Sequence, residues 1–209
     1  MLFPVGHYVG VDADADAQRH LVRVGWHLLR LDDERFAVWT LAHGLPGDDP
    51  APWNRAGVDA VARTAGLHAT GPILDDLLAE DLVIDVMPGT AEAIDFARTC
   101  RLRSQLIGLG ADPDRPGAYA IGPAAGVPVV RVDAVGYELW QWGHLCDSLW
   151  HACAVLAEAS DDLPDVDAAL TRSLAVLQTL IAHGAIHLDE AREDWATSDT
   201  PAAAGVVHA

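Results

Sequence analysis

Residues 28–43 read LLRLDDERFAVWTLAH, and residues 129–144 read VVRVDAVGYELWQWGH. Laid over one another without a gap, at an offset of 101, they pair Arg30 with Arg131, Asp32 with Asp133, Phe36 with Tyr137, Trp39 with Trp140 and His43 with His144. Apolar Leu28, Leu29, Leu31 and Val38 fall on Val129, Val130, Val132 and Leu139. Further on, at an offset of 103, Leu74, Leu77, Leu78, Leu82 and Val83 fall on Leu177, Leu180, Ile181, Ala185 and Ile186. Upstream, HYVG at 7–10 resembles AYAIG at 118–122. Three blocks in the same order point to two copies of one module of roughly 80 to 90 residues.

Each copy has a physical reading. Val22, Val24, Trp26 and Leu28 alternate with polar positions, which predicts a strand. In the second copy the AAGVP turn precedes a strand over 127–132. Asp32 and Asp133 each stand just before an apolar set at helical spacing, as an N-cap does. Phe36, Trp39 and Leu41 then supply the buried stripe, and Gly44-Leu45-Pro46-Gly47 ends the first helix. In the second copy the corresponding helix is expected to run on through Leu145 and Leu149 to the acidic break at 161–167. A short helix over 58–65, a turn at Gly66-Leu67, a helix over 70–81 and a strand at 82–86 read as helix-turn-helix plus wing, with Pro72 in a helical first turn. The second copy shows only the last part clearly: a helix over 168–182, Gly184 as its cap and a strand at 185–188.

The expected fold class is therefore α+β, two tandem winged helix-turn-helix modules. Module one spans 1–95, an Arg-bearing linker helix and loop spans 96–116, and module two spans 117–190. A flexible tail spans 191–209.

Composition narrows the function. The chain has 209 residues and 51% hydrophobic content, enough for a core and too much for disorder. It lacks an apolar run long enough to span a membrane, and its N-terminus lacks the charged and apolar regions of a secretory signal. Three unpatterned cysteines fit a reducing cytoplasm. All 13 basic residues are arginine, against 31 acids, for a formal charge of −18. Such a surface repels phosphate and disfavours nucleic acid. The stretch 96–117 breaks this trend with Arg98, Arg101, Arg103 and Arg115.

Module two resembles the PqqD-like winged helices in its Arg131-Val132-Asp133 step, its Tyr137 and Trp140, and its closing Leu180-Ile181-Ala182-His183-Gly184-Ala185-Ile186. Module one looks like the same fold, with AGLHATG closer to ordinary winged-helix regulators. The resemblance covers about 160 of the 209 residues as a pattern. It implies a recognition element that binds the leader of a ribosomally made peptide for a modifying enzyme. The chain departs from that family in being duplicated, in lacking a clear second helix in module two, and in carrying no fused enzyme domain.

The chemistry-bearing residues support no reaction. His144, Cys146, His151 and Cys153 form H-x-C-x4-H-x-C, but on one helix residues seven apart lie about 10 Å from each other, too far to share an ion. His43 and His144 sit at helix ends, where capping explains them first. The pairs Asp32-Asp33, Asp48-Asp49, Asp75-Asp76 and Asp161-Asp162 fall in caps, loops and exposed faces. The run DADADA at 12–17 lacks the Gly and closing Glu of a calcium loop. No catalytic residue, cofactor or metal site is expected.

What remains is a binding protein. An extended peptide can add to an exposed strand edge. In module one the expected groove is bounded by Val22, Val24, Trp26 and Leu28 on the strand and by Asp75, Asp76 and Glu80 on the helix. Those acids would favour a basic peptide or protein, such as a modifying enzyme. The Trp-rich stretch 139–150 is the candidate surface for packing between modules or for a homodimer. The alternative is a DNA-binding regulator, which the helix over 70–81 opposes because it carries four acids and no basic residue.

Overall fold

The computed structural model describes residues 1–12, 18–47 and 52–192. The DADADA run beyond Asp12, the Asp48-Asp49 pair and the tail from 193 lie outside the described residues. The fold is α+β. Strand β1 (Leu2–Pro4) is followed by an antiparallel three-stranded sheet of β2 (His7–Asp12), β3 (Arg19–Val24) and β4 (His27–Leu31). Helices α1 (Asp33–Ala42), α2 (Arg55–Thr64) and α3 (Thr70–Ala79) come next, and β5 (Val83–Asp85) returns to pair with β1. Beyond α4 (Ala91–Thr99) the same series recurs. Strand β6 (Cys100–Ser104) precedes a sheet of β7 (Ile107–Ala111), β8 (Tyr119–Gly122) and β9 (Val130–Val132). Then come α5 (Ala134–Trp142), α6 (Leu149–Ala159), α7 (Val166–Ala182) and β10 (Ile186–Glu190), which pairs with β6.

The repeat extends to individual contacts. Asp32 accepts from Arg35 N and Asp133 from Gly136 N, so both are N-caps. Arg30 pairs with Asp12 at 2.9 Å, and Arg131 pairs with Asp112. Trp39 and Trp140 are both buried, and each indole N–H donates to a backbone carbonyl, Val5 and Ala185 respectively. His20 stacks on Phe36 as Tyr119 stacks on Tyr137. Leu74 and Leu77 are fully buried, as are Leu177 and Leu180.

Several local expectations need correction. Residues 22–28 are not one strand: they form a hairpin in which Gly25 takes φ +55 at the first turn position, followed by Trp26. Period-two alternation continues through such a tight turn, so the pattern alone cannot show it. HYVG at 7–10 corresponds to β7 rather than to 118–122. Both β2 and β7 open their sheets and carry a register slip, at Tyr8/Gly10 and at Gly108/Gly110. The first helix of module two stops at Trp142. Gly143 lies so close to Leu102 that a Cβ there would meet its Cδ2 at 2.6 Å, and Ser148 caps a separate α6 through His151 N. That α6 is the second helix the sequence reading missed. Within 96–116, Arg101 and Arg103 lie on β6, not on a linker helix, because C-R-L-R alternates buried and partly exposed positions. Finally, β5 pairs with the N-terminal β1 instead of forming a wing hairpin of its own.

Two cores result, with β1 between them. Leu2 packs into the core of module one with Val22, Trp39, Leu74 and Leu77. Phe3, on the opposite face of the same strand, joins Phe96, Leu102, Leu174 and Leu188 in the core of module two. Helix α4 contributes Ala93, Phe96 and Ala97 to that second core. The modules meet along β1 and β10, where Val5 bridges Leu188 in parallel and Gly6 N donates to Leu188 O at 2.8 Å. Trp140 and Leu149 of the Trp-rich stretch 139–150 belong to the same apolar cluster as Phe3 and Val5. Gln178 of α7 adds hydrogen bonds across the seam: its Oε1 accepts from Trp53 N at 2.9 Å, and its Nε2 donates to Leu2 O and Trp53 O. Replacing Gln178 by Ala strands two backbone groups of module one, Trp53 N and Leu2 O, while Trp53 O keeps the Leu2 N–H, and the expected loss in urea unfolding is about 2 kcal/mol. A loss below about 0.5 kcal/mol would show that water replaces the side chain at this seam. Among the described residues no helix is long and apolar enough to cross a membrane.

Candidate functional site

A three-stranded sheet has two edges, and here they differ. The β2 edge is interrupted where the register shifts between Tyr8 and Gly10, with Gly10 at φ +129. A bulge twists an edge and blunts it against pairing. In module two β7 is blunted at the equivalent place, and the outer strand β9 has only three residues. Strand β4 is the exception. It pairs with β3 over five residues, from Val24–His27 to His20–Leu31, without a slip. Its outer side presents a regular row of backbone donors and acceptors.

The expected site residues separate on this frame. Val22 is 0% exposed on the central strand β3, which has a neighbour on each side and cannot accept another. Val24 is half-buried between the two cores. Trp26 stands at the hairpin tip with 97% of its surface exposed, and Leu28, on β4, is 46% exposed. Trp26 is far more exposed than any other large apolar residue described, the next being Met87 at 70%, and it marks one end of the β4 edge. The acidic residues are placed elsewhere. Helix α3 packs on α1, α2 and β5. Asp75 is paired with Arg55 at 2.7 Å and Glu80 with Arg35 of α1, while Asp76 is exposed. Two of the three acids thus have a cation beside them and do not stand as an open negative wall.

Module two offers a different concavity. A cleft of about 540 Å³ lies between α5, α6 and the turn before α7, lined by Val135, Leu139, Trp142, Val155 and Leu156, with Glu138 as its charged member. Trp142 and Leu145 are exposed nearby. The aromatic richness of 139–150 signalled this surface; its shape follows from the helix break at Gly143, which the sequence did not announce.

The titratable candidates are held quietly. Burial pushes the thiols of Cys100 and Cys153 up to about 12, and that of Cys146 is raised as well, so all three are neutral near pH 7. Burial lowers the pKa of His43, whose Nδ1–H donates to Trp39 O at 3.0 Å. His43 therefore caps α1 as a neutral imidazole by hydrogen bonding, not as the cation expected from its position. Among the described residues no group of three His, Cys, Asp or Glu side chains is arranged to hold a metal ion.

Comparison with protein-family models, with curated proteins and with solved structures finds no match.

Proposed function

We propose that the protein is a non-catalytic recognition protein that captures an extended peptide segment by strand addition along β4. Each β-β-β-α-α-α unit would then be a winged helix of the PqqD-like kind. One observation carries the reading: β4, an outer strand of the first three-stranded sheet, pairs with β3 over five residues without a bulge, and it begins beside an almost fully exposed Trp26. Main-chain hydrogen bonds to the edge supply affinity, while Trp26 and Leu28 supply apolar anchors. The segment bound would come from a partner polypeptide such as a precursor leader or a modifying enzyme, in the reducing compartment that three free thiols suit. With Asp75 and Glu80 already paired, selectivity for a basic segment rests on the overall acidic field more than on α3.

Selection of displayed ten-residue peptides on the immobilised protein tests this directly. Enriched peptides should slow amide exchange along residues 27–31. Trp26→Ala should weaken them by about 2 kcal/mol, roughly thirtyfold, as expected for a buried aromatic anchor. The same variant should unfold at the wild-type urea concentration, because an exposed side chain contributes little to stability. Peptides whose binding ignores Trp26 and leaves 27–31 unprotected would move the site away from β4. A mobility shift with duplex DNA at physiological salt would instead favour the regulator reading.

A further inference from the structure

The seam between the modules carries charge of the wrong sign for this chain. Pairing of β6 with β10 sets Arg103 opposite His187 and Arg101 opposite Asp189. Strand side chains alternate, so these four share one face while Leu102 and Leu188 enter the core. Module one closes over that face. Gly25 N donates to Asp189 Oδ1 at 2.7 Å, the His7 ring lies 4.6 Å from that of His187, and Arg23 donates to Gly25 O at 3.3 Å. Three guanidinium groups and two imidazoles therefore converge in a protein of formal charge −18.

Their internal compensation is incomplete. Asp189 is occupied by Arg101 at 3.2 Å as well as by Gly25. Glu190 is exposed at the margin, and Arg192 is turned toward Asp147 at 3.7 Å. Arg103 has no hydrogen-bond or ion-pair partner among the described residues. Buried nitrogens are also left over: Nε and Nη1 of Arg101, and both ring nitrogens of His187, have no hydrogen-bond partner. Elsewhere the stretch is accounted for, with Arg98 lying over the Trp150 ring. Buried donors without partners are rare, and like charges held together oppose folding unless a counter-charge joins them. Guanidinium forks match the spacing of oxyanion oxygens.

We infer that the seam is a binding site for an oxyanion, a phosphate or carboxylate group, held by Arg23, Arg103 and His187 with His7 at its rim. The site adjoins the β4 edge, since Arg23 lies opposite Leu28 in the sheet, but it is tested without any peptide and stands whether or not peptides bind there.

Calorimetric titration of the full chain with inorganic phosphate and with acetate, each against chloride at equal ionic strength, decides the matter. Saturable binding of phosphate, acetate or both supports the site, and the stronger of the two identifies the group. Arg103→Gln has no native partner to lose, so it should fold normally by circular dichroism and bind about tenfold more weakly. Arg63→Gln, on the exposed face of α2, should leave binding unchanged. If Arg103→Gln misfolds, Arg103→Lys, which keeps the charge and loses the fork, should bind more weakly than the wild type. No binding beyond chloride, or equal loss in the Arg63 variant, would overturn the inference.

Discussion

Asp189→Ala is expected to destabilise the protein by about 3 kcal/mol, close to what is lost when one partner of a buried ion pair is removed. The carboxylate is 1% exposed and has three donors. Its Oδ1 accepts from Gly25 N and Glu190 N, and its Oδ2 from Arg101 Nη2. Without it, Arg101 keeps a charge in a site where its Nε and Nη1 already lack acceptors, and the Gly25 turn loses its tie to module two. Asp189→Asn keeps an oxygen for Gly25 but removes the charge, so it should fall between wild type and Ala. Urea unfolding of the three proteins gives the order. Because Gly25 and Asp189 belong to different modules, the Ala variant should also release the seam first, seen as early loss of amide protection in residues 186–190. A loss below about 1 kcal/mol would mean that the seam rests on apolar packing around Phe3 and Val5 rather than on this carboxylate.

Arginine, aspartate and tryptophan at matched spacing made the duplication legible, because those residues do the same work in each copy. An Asp that caps a helix, an Arg that crosses the sheet and a Trp whose N–H needs a carbonyl each demand a fixed place in a fold. The helix boundaries were less legible where the determinant is a distant contact. The position where α5 ends must be glycine because Leu102 occupies the space of a side chain at 143, and nothing within 139–150 encodes that neighbour. Strand β6 was read as helix for a related reason. The Arg-rich alternation of 100–104 becomes a strand only through its pairing with β10, some eighty residues away.

The candidate sites divide along the same line. Trp26 and Leu28 were legible as apolar residues, but the turn at Gly25 decides that Trp26 stands in water while Val22 is sealed in the core. The seam cluster could not be read from the chain at all. His7, Arg23, Arg103 and His187 are spread over some 180 positions and meet only because β1 lies between two cores. The local excess of arginine at 96–117 was the one signal pointing there, and its meaning depended on which side of β6 those arginines occupy.

The pH dependence of stability should report the same seam. Burial pushes His187 down to about 4, helped by the facing charges of His7, Arg103 and Arg23 and opposed by Asp189. His7 is lowered too, by burial and by Arg23. A histidine that titrates near 4 in the fold and near 6.5 when unfolded takes up its proton first in the unfolded chain. Stability is therefore full above about pH 6.5 and falls as pH drops toward 4. For the partly exposed His187 the loss should be on the order of 1 to 2 kcal/mol. Asp189 extends the slope. Burial alone would raise its pKa, but Gly25 N–H and Arg101 outweigh that and hold it low, so its contribution disappears only as pH falls below the ordinary Asp value near 4. Chemical unfolding between pH 7.5 and 4.5 in chloride should show the decline, and His187→Gln should flatten most of it. An unchanged slope in that variant would assign the acid sensitivity to His43 or to groups outside the seam. An oxyanion seated among Arg23, Arg103 and His187 supplies the negative charge that favours protonated imidazole. Sulfate, whose charge does not change over this range, should therefore raise stability more at pH 5.5 than at pH 7.5 in the wild type, and that difference should shrink in His187→Gln to what His7 contributes.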